Sequence, residues 1–204
     1  MLYTAVIEPG TLGILKYISS HDIFESFCLV GGTALALQMG HRLSIDLDFF
    51  SPQPFDKELV KTELSEYGDW LTFSENKIGL RGQLNNVKVD FVTYRYPLLE
   101  PATSEGGIRM FSTKDIAAMK LSAITNRGAK KDFYDIYFLM RQYGLSQLLE
   151  WYQQKYQTNN LFMVLKSLTY FDDAELTETP VLLQKKTGWI TVKKTILAAV
   201  TNYV

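Results

Sequence analysis

The chain has 204 residues, of which 47% are hydrophobic and 13% aromatic, so it can bury the core of a globular protein. Its formal net charge of -1 at pH 7 excludes a surface that is basic throughout, and any nucleic-acid partner must meet a local patch. A single cysteine excludes an internal disulfide, and no apolar run approaches the roughly 18 residues that a membrane span needs. We therefore expect a cytoplasmic protein with no membrane partner.

The first half of the chain mixes helix and strand patterns. A helix is predicted over residues 11–20, a strand over 27–30, and a helix over 33–39 that a diglycine turn opens. Further predicted elements are strands over 45–50, 70–76, 77–81 and 87–94, a helix over 56–67 and a hairpin turn at Asn85 and Asn86. A turn-rich stretch near 104–107 ends this pattern, which places a domain boundary between residues 107 and 108.

Two aspartates occupy alternate positions in the apolar strand predicted over residues 45–50. Side chains alternate between the two faces of a strand, so Asp46 and Asp48 share one face and the apolar residues, Ile45 included, share the other. Like charges held side by side repel, which favours a divalent cation between them. A solvated strand, or pairing of the acids with Arg42 and Lys88, remains an open interpretation.

A third acid, Asp90, lies in the strand with the strictest alternation of apolar and polar residues, over 87–94. Antiparallel pairing of the two acid-bearing strands would bring three carboxylates to one patch. Such a cluster suits two Mg²⁺ ions, or Mn²⁺, because these cations prefer oxygen ligands and complete their shell with water and substrate phosphates.

The diglycine turn, Gly31 and Gly32, stands between a short strand and a helix. Backbone amides at a glycine turn and a helix start can approach phosphate oxygens closely, and Thr33 adds a hydroxyl. A purely structural turn is the alternative.

The second half of the chain is predicted to be helical. Ser112 or Thr113 caps a helix that carries Asp115 in its first turn and runs to about residue 127. A second helix follows at once, and further helical patterns cover 145–156, 161–171 and 192–203.

Lys120 and Arg127 stand two turns apart in the first of these helices. This spacing is typical of a solvated stripe, that is, a row of solvent-exposed side chains along one helix face. Asp132 and Asp135 on the next helix are equally compatible with salt bridges to these bases. Residues 114–141 carry six basic and three acidic residues, and Lys185, Lys186, Lys193 and Lys194 follow. This local patch is either a solvated face or a docking surface for a phosphate backbone.

The Gly31-Gly-Thr turn, the segment from Arg42 to Phe50, the Lys88-Val-Asp90 strand and the Lys131-Asp-Phe-Tyr-Asp135 helix resemble one known family. This is the nucleotidyltransferase AbiEii/AbiGii toxin family, within the DNA polymerase beta-like nucleotidyltransferase superfamily. The resemblance implies an α/β (α+β) fold, with a mixed sheet and flanking helices over 1–107 and a helical bundle over 108–204 that completes the active site.

The resemblance also implies roles for particular residues. Asp46 and Asp48 would bind both metals, Asp90 would join them and activate the attacking group, and Lys120 and Asp132 would complete the catalytic set. The implied nucleotide-binding residues are Gly31, Gly32, Thr33, Arg42, Ser44, Lys120 and Arg127.

The implied activity is Mg²⁺-dependent transfer of a nucleoside monophosphate from a nucleoside triphosphate to an acceptor, with transfer RNA favoured. The biological setting would be a bacterial toxin-antitoxin or phage-defence system with a cognate antitoxin protein. Two alternatives remain, namely a metal-dependent glycosyltransferase with a DxD motif and a catalytically silent module that binds RNA or protein.

Overall fold

The computed structural model describes residues 1–184 and 187–203. Lys185 and Lys186 of the predicted basic patch therefore lie outside the described residues. Within the described part of the chain, no helix is long and apolar enough to cross a membrane.

The chain forms two compact units. The first comprises Met1–Gly40, Ser44–Pro97 and Pro101–Phe111. The second comprises His41–Leu43, Leu98–Glu100 and the chain from Ser112 onward. Two short segments of the first half of the chain thus belong to the second unit.

A seven-stranded mixed sheet forms the centre of the first unit, which confirms the predicted fold class. In chain order the strands are β1 (Cys28–Val30), β2 (Leu47–Ser51), β3 (Trp70–Asn76), β4 (Gly79–Leu84), β5 (Val87–Thr93), β6 (Thr103–Glu105) and β7 (Ile108–Met110). Their order across the sheet is β3-β4-β5-β2-β1-β7-β6. The predicted turn before β5 is present, with Asn85 and Asn86 at positive φ.

The helices of the first unit are α1 (Pro9–Ser20), α2 (Gly31–Met39) and α3 (Lys57–Tyr67), with short 3-10 helices at Thr4–Val6 and Asp22–Phe24. Helix α2 begins at the first glycine of the predicted turn, which has a φ of 69° that only glycine adopts easily. The preceding residue, Val30, contributes no side-chain cap to this helix start.

The predicted antiparallel pairing of the two acid-bearing strands is wrong, because β2 and β5 run parallel. Between them the chain passes through α3, β3 and β4, and this long connection returns β5 in the same direction as β2. Buried apolar side chains fill one face of both strands, namely Leu47, Phe49, Val89 and Phe91.

Two further strand predictions differ from the structure. Strand β2 begins at Leu47, two residues later than predicted, and Ile45 is 65% exposed and so does not share the buried apolar face. Before the strand, the backbone N–H of Ser44 bonds to the carbonyl of Val6. Strand β4 lies two residues later than predicted at its start and extends to Leu84.

The second unit is helical in its described part. Its helices are α4 (Thr113–Asn126), α5 (Lys130–Tyr143), α6 (Leu145–Tyr156), α7 (Phe162–Leu168), α8 (Asp172–Glu175) and α9 (Trp189–Tyr203). The predicted cap of α4 is confirmed, since the Ser112 hydroxyl accepts a hydrogen bond from the Asp115 N–H. The helix predicted over 161–171 is shorter than expected, because α7 ends at Leu168 and a separate short helix, α8, begins at Asp172.

A buried ion pair joins α4 to α6 within this unit. Nζ of Lys155 donates to Oδ1 of Asp115 at 2.7 Å, and both side chains are fully buried. The same carboxylate accepts the backbone N–H groups of Leu99 and Glu100, so it also anchors the segment 98–100. Burying charges is costly unless they are paired and hydrogen-bonded, as they are here.

We expect Lys155→Met to lower the free energy of unfolding by about 3 kcal/mol, because it leaves the Asp115 carboxylate buried without its cation. Urea denaturation followed by circular dichroism measures the change. The control is Lys61→Met, which removes a partly exposed lysine that pairs with Glu58 and should have a much smaller effect. Equal losses in the two variants would contradict the importance of the buried pair.

Candidate active site

Two of the predicted acids lie directly opposite each other in the sheet. Asp48 of β2 is in register with Asp90 of β5, and on its other side Asp48 is in register with Val30, the last residue of β1. Residues paired across neighbouring strands project to the same face. The parallel register therefore places the two carboxylates side by side, next to the start of α2.

Gly31 leaves room for one of these carboxylates. A Cβ at this position would lie 2.6 Å from Oδ2 of Asp48, which is closer than real Cβ atoms approach other atoms. The positive φ of Gly31 independently favours glycine here. The diglycine turn and the aspartate strand are thus in direct contact. The first N–H groups of α2 begin at the same point, and Val30 contributes no side-chain cap to them.

Asp46 lies in the segment just before β2. Its backbone carbonyl accepts a hydrogen bond from the hydroxyl of Thr33, which also lies 2.8 Å from the hydroxyl of Ser44. Thr33 and Ser44 are buried, so both predicted nucleotide-binding hydroxyls support the loop that carries Asp46.

Asp90 has one carboxylate oxygen on the surface side and one inside. Oδ2 lies 3.2 Å from Nζ of Lys88 and 3.7 Å from Nε of Arg81. Oδ1 is buried and has no hydrogen-bond partner among the described residues. Lys88 therefore pairs with Asp90, and not with Asp46 or Asp48 as the alternative interpretation of the sequence had it.

The described residues include no group of three or more His, Cys, Asp and Glu side chains arranged to hold a metal ion. Magnesium needs only one or two carboxylates when substrate phosphates and water complete its shell. Asp48, Asp90 and the unpartnered Oδ1 fit that requirement. A third ligand from Asp46 stays a prediction.

Lys120 belongs to the second unit and is buried there, with 4% of its surface exposed. Its Nζ lies 2.8 Å from Oδ1 of Asp132 and 2.6 Å from Oδ2 of Asp135. Burial lowers the pKa of Lys120, but the two carboxylates outweigh burial, so the pKa stays above its ordinary value. For this residue the interpretation as a solvated stripe is wrong.

Arg42, a predicted nucleotide-binding residue, binds Asp135 in the same unit. Its Nε and Nη2 donate to the two oxygens of Asp135 at 2.7 and 3.0 Å, and Nε2 of His41 lies 2.7 Å from Oδ1. Burial raises the pKa of Asp135, but Arg42 and Lys120 outweigh it and hold this pKa well below its ordinary value of 3.8. No local pattern in the sequence signals this contact, since Arg42 and Asp135 are 93 residues apart.

Arg127, also predicted to bind nucleotide, follows the end of α4 in an extended conformation. Its side chain is 63% exposed, and Nε lies 3.4 Å from Oδ2 of Asp132. Oδ2 is buried and, among the described residues, has no hydrogen-bond partner. Asp132 is thus firmly held by Lys120 on one oxygen and only loosely paired on the other.

We expect Asp135→Asn to lower the free energy of unfolding by about 3 kcal/mol at pH 7, because Arg42 and Lys120 lose a buried counter-charge. The pKa of Asp135 is lower in the folded state than its ordinary value of 3.8. The ionised carboxylate therefore contributes stability above pH 3.8, and this contribution is lost as the pH falls towards the folded-state pKa. The difference between wild type and variant should shrink below about pH 4.

Urea denaturation between pH 3 and pH 7 measures this dependence. Asp172→Asn, at an exposed position of the same unit, is the matched control and should follow the wild type across the range. A difference between wild type and Asp135→Asn that stays constant down to pH 3 would contradict the assignment.

Comparison with known proteins gives matches in sequence and in fold. Residues 13–201 match the model of the family described as nucleotidyl transferase AbiEii toxin, type IV TA system. An uncharacterized protein from Aquifex aeolicus is 40% identical over 166 residues, which cover 78% of this chain and 81% of that protein.

Among solved structures, the nucleotidyltransferase toxin MenT4 from Mycobacterium tuberculosis aligns with a TM-score of 0.59 at 14% identity, covering 94% of this chain and 83% of that one. The antibiotic-resistance factor ANT(2'')-Ia aligns with a TM-score of 0.57 at 14% identity, covering 72% and 91%. At these identities the likeness shows a shared fold. The sequence match over residues 13–201 shows more, namely that the chain belongs to the AbiEii nucleotidyltransferase toxin family and is a nucleotidyltransferase.

Proposed function

We propose that this enzyme transfers a nucleoside monophosphate from a nucleoside triphosphate to an RNA acceptor, with transfer RNA favoured, in the presence of Mg²⁺. The observation that carries the proposal is the register of Asp48 with Asp90 beside Gly31. Two carboxylates next to a helix start provide ligands for a cation and N–H donors for phosphate oxygens at one place. The family assignment favours nucleotidyl transfer over the glycosyltransferase interpretation.

In this proposal the triphosphate lies against the backbone N–H groups at the start of α2, beside the Asp48 carboxylate that approaches Gly31. An acceptor hydroxyl attacks the α-phosphorus, an oxygen–phosphorus bond forms, and the bond to the bridging oxygen breaks, so that pyrophosphate leaves. The carboxylate of Asp90 takes the proton of the attacking hydroxyl. General-base assistance of this kind contributes about 10²- to 10⁴-fold to a rate.

Nucleotidyltransferases of this family generally use a divalent metal ion. We propose Mg²⁺, with Mn²⁺ as a substitute, held by Asp46, Asp48 and Asp90. When bound, it would neutralise charge on the phosphates and stabilise the attacking and leaving oxygens. The buried Oδ1 of Asp90 is a suitable ligand atom because it has no protein donor to displace among the described residues.

The family description as a type IV toxin-antitoxin system supports a role as the toxin of such a pair, with a cognate antitoxin, in the cytoplasm. The proposed nucleotide contacts of Lys120, Arg127, Arg42 and Ser44, and a catalytic role for Asp132, stay predictions.

We expect Asp48→Asn and Asp46→Ala each to reduce nucleotide transfer at least about 10³-fold, because both would weaken cation binding and so phosphate neutralisation. The assay supplies each of the four labelled nucleoside triphosphates with Mg²⁺ and with total RNA, and follows label in RNA and protein. Adding a chelator should abolish transfer.

Asp69→Asn is the control, because Asp69 is an exposed acid of the same unit and should transfer like the wild type. Transfer that persists in Asp48→Asn would exclude the proposed metal site. Label in protein alone would replace RNA with a protein acceptor, and toxicity without any transfer would favour the silent module.

Gly31→Ala should reduce transfer about 10²-fold, since its Cβ would displace the Asp48 carboxylate and small misplacements of reacting groups are costly. The matched control is Gly106→Ala, which has a similar positive φ of 59° but no atom within 4 Å of its added Cβ. Both variants should lose similar stability from the strained backbone, about 1–2 kcal/mol, as thermal unfolding would show. Equal activity of Gly31→Ala and Gly106→Ala would contradict a close approach of the Asp48 carboxylate to Gly31.

A further inference from the structure

Two exposed cations flank the carboxylate of Asp90. The side chains of Arg81 and Lys88 are 58% and 47% exposed, and both approach Oδ2 of Asp90, at 3.7 and 3.2 Å. Neither cation forms a hydrogen bond with Oδ1, which is buried and has no hydrogen-bond partner among the described residues. The surface side of the carboxylate thus carries two positive charges in contact with solvent.

The register of the sheet explains this arrangement. Arg81 of β4 is directly opposite Asp90 of β5, which is directly opposite Asp48 of β2. The three residues form a row across neighbouring strands, and Lys88 lies on the same face of β5, two residues before Asp90. Strands are spaced about 4.8 Å apart, so the backbone of Arg81 lies roughly 10 Å from that of Asp48. The row begins with a cation and continues with the two acids.

Neither cation is required by the packing of the sheet. Both side chains are largely in water, and ion pairs between exposed groups contribute little to stability because solvent screens them. Their contacts with Asp90 can therefore be exchanged for contacts with a ligand at low cost. Phosphate is the ligand group that suits them, since arginine binds it with two parallel hydrogen bonds and lysine as a point charge.

We propose that Arg81 and Lys88 bind phosphates of the RNA acceptor and so position its attacking hydroxyl beside Asp90. The inference rests on the proposed function, in which Asp90 receives the proton of that hydroxyl. Because the whole chain carries a net charge of -1, local cations such as these must supply the attraction for a polyanion. Arg81 and Lys88 are thus positioning residues. The proposal requires an RNA acceptor, because a protein acceptor would have no phosphates for these two side chains to bind.

The test is the double variant Arg81→Gln/Lys88→Gln, with steady-state transfer to bulk transfer RNA measured at several RNA and salt concentrations. We expect the KM for RNA to rise at least about 10-fold, with kcat and the KM for the nucleotide changed less than about 2-fold. The slope of log(kcat/KM) against log(salt) should become shallower by about 1.4–1.8, since each lost phosphate contact contributes 0.7–0.9. The conservative variant Arg81→Lys should retain the wild-type salt slope.

The matched control is Lys77→Gln/Arg95→Gln, which removes two exposed cations of the same unit at other positions and should behave like the wild type. An unchanged KM for RNA and salt slope in Arg81→Gln/Lys88→Gln would overturn the inference. A fall in kcat alone would also overturn it, because the cations would then act on Asp90 and not on the acceptor.

A second measurement separates this inference from the proposed function. Fluorescently labelled transfer RNA is titrated with wild type and with the double variant in the absence of nucleotide. If the wild type labels no RNA, the proposed RNA transfer fails, and binding alone decides the inference. At least about 10-fold weaker binding by the variant would support it, and equal affinities would overturn it.

Discussion

Two carboxylates stand side by side in the first unit because β2 runs parallel to β5 in a register that core packing determines. Leu47, Phe49, Val89 and Phe91 fill the buried face of these strands, and full burial of such side chains contributes roughly 1.5–3 kcal/mol each. A slip of one residue would turn Phe91 outward and Asp90 inward, so the register is strongly specified. The same apolar contacts that stabilise the sheet therefore place Asp90 beside Asp48.

The buried carboxylates differ in how completely they are paired. In the second unit, Asp135 accepts contacts from His41, Arg42 and Lys120, and Asp115 is fully engaged by Lys155 and backbone N–H groups. Such satisfied networks hold side chains in one arrangement, although desolvation offsets much of their attraction. Two buried carboxylate oxygens have no hydrogen-bond partner among the described residues, namely Oδ2 of Asp132 in the second unit and Oδ1 of Asp90 in the first unit. A buried acceptor of this kind carries a free-energy penalty that a bound cation would relieve, which is the physical basis of the proposed metal site.

Local patterns were sufficient to predict most strands of the first half, the helical second half, the turn at Asn85 and the Ser112 cap, because period and capping chemistry are encoded over a few residues. The mixed sheet was implied by the resemblance to the family. Local patterns did not predict the features that depend on contacts between segments far apart in the sequence. The direction of β5 relative to β2 depends on the connection through α3, β3 and β4, and β6 and β7 have only three residues each in which to show a pattern. The sequence likewise identified Asp48 and Asp90 as acids on one face, but the contact of Arg42 with Asp135 joins residues 93 positions apart. Arg81 was missed for the same reason, since only the β4–β5 register reveals that it lies opposite Asp90.

The central claim is that Asp48 and Asp90 together hold the cation through which a nucleoside triphosphate binds. Calorimetric titration with a non-hydrolysable triphosphate analogue, with Mg²⁺ and then with a chelator, tests it most directly, using wild type and the Asp48→Asn/Asp90→Asn variant. The account predicts binding to the wild type that requires Mg²⁺ and that the variant loses while remaining folded. Equally tight binding by the variant, or by the wild type without the metal, would contradict it.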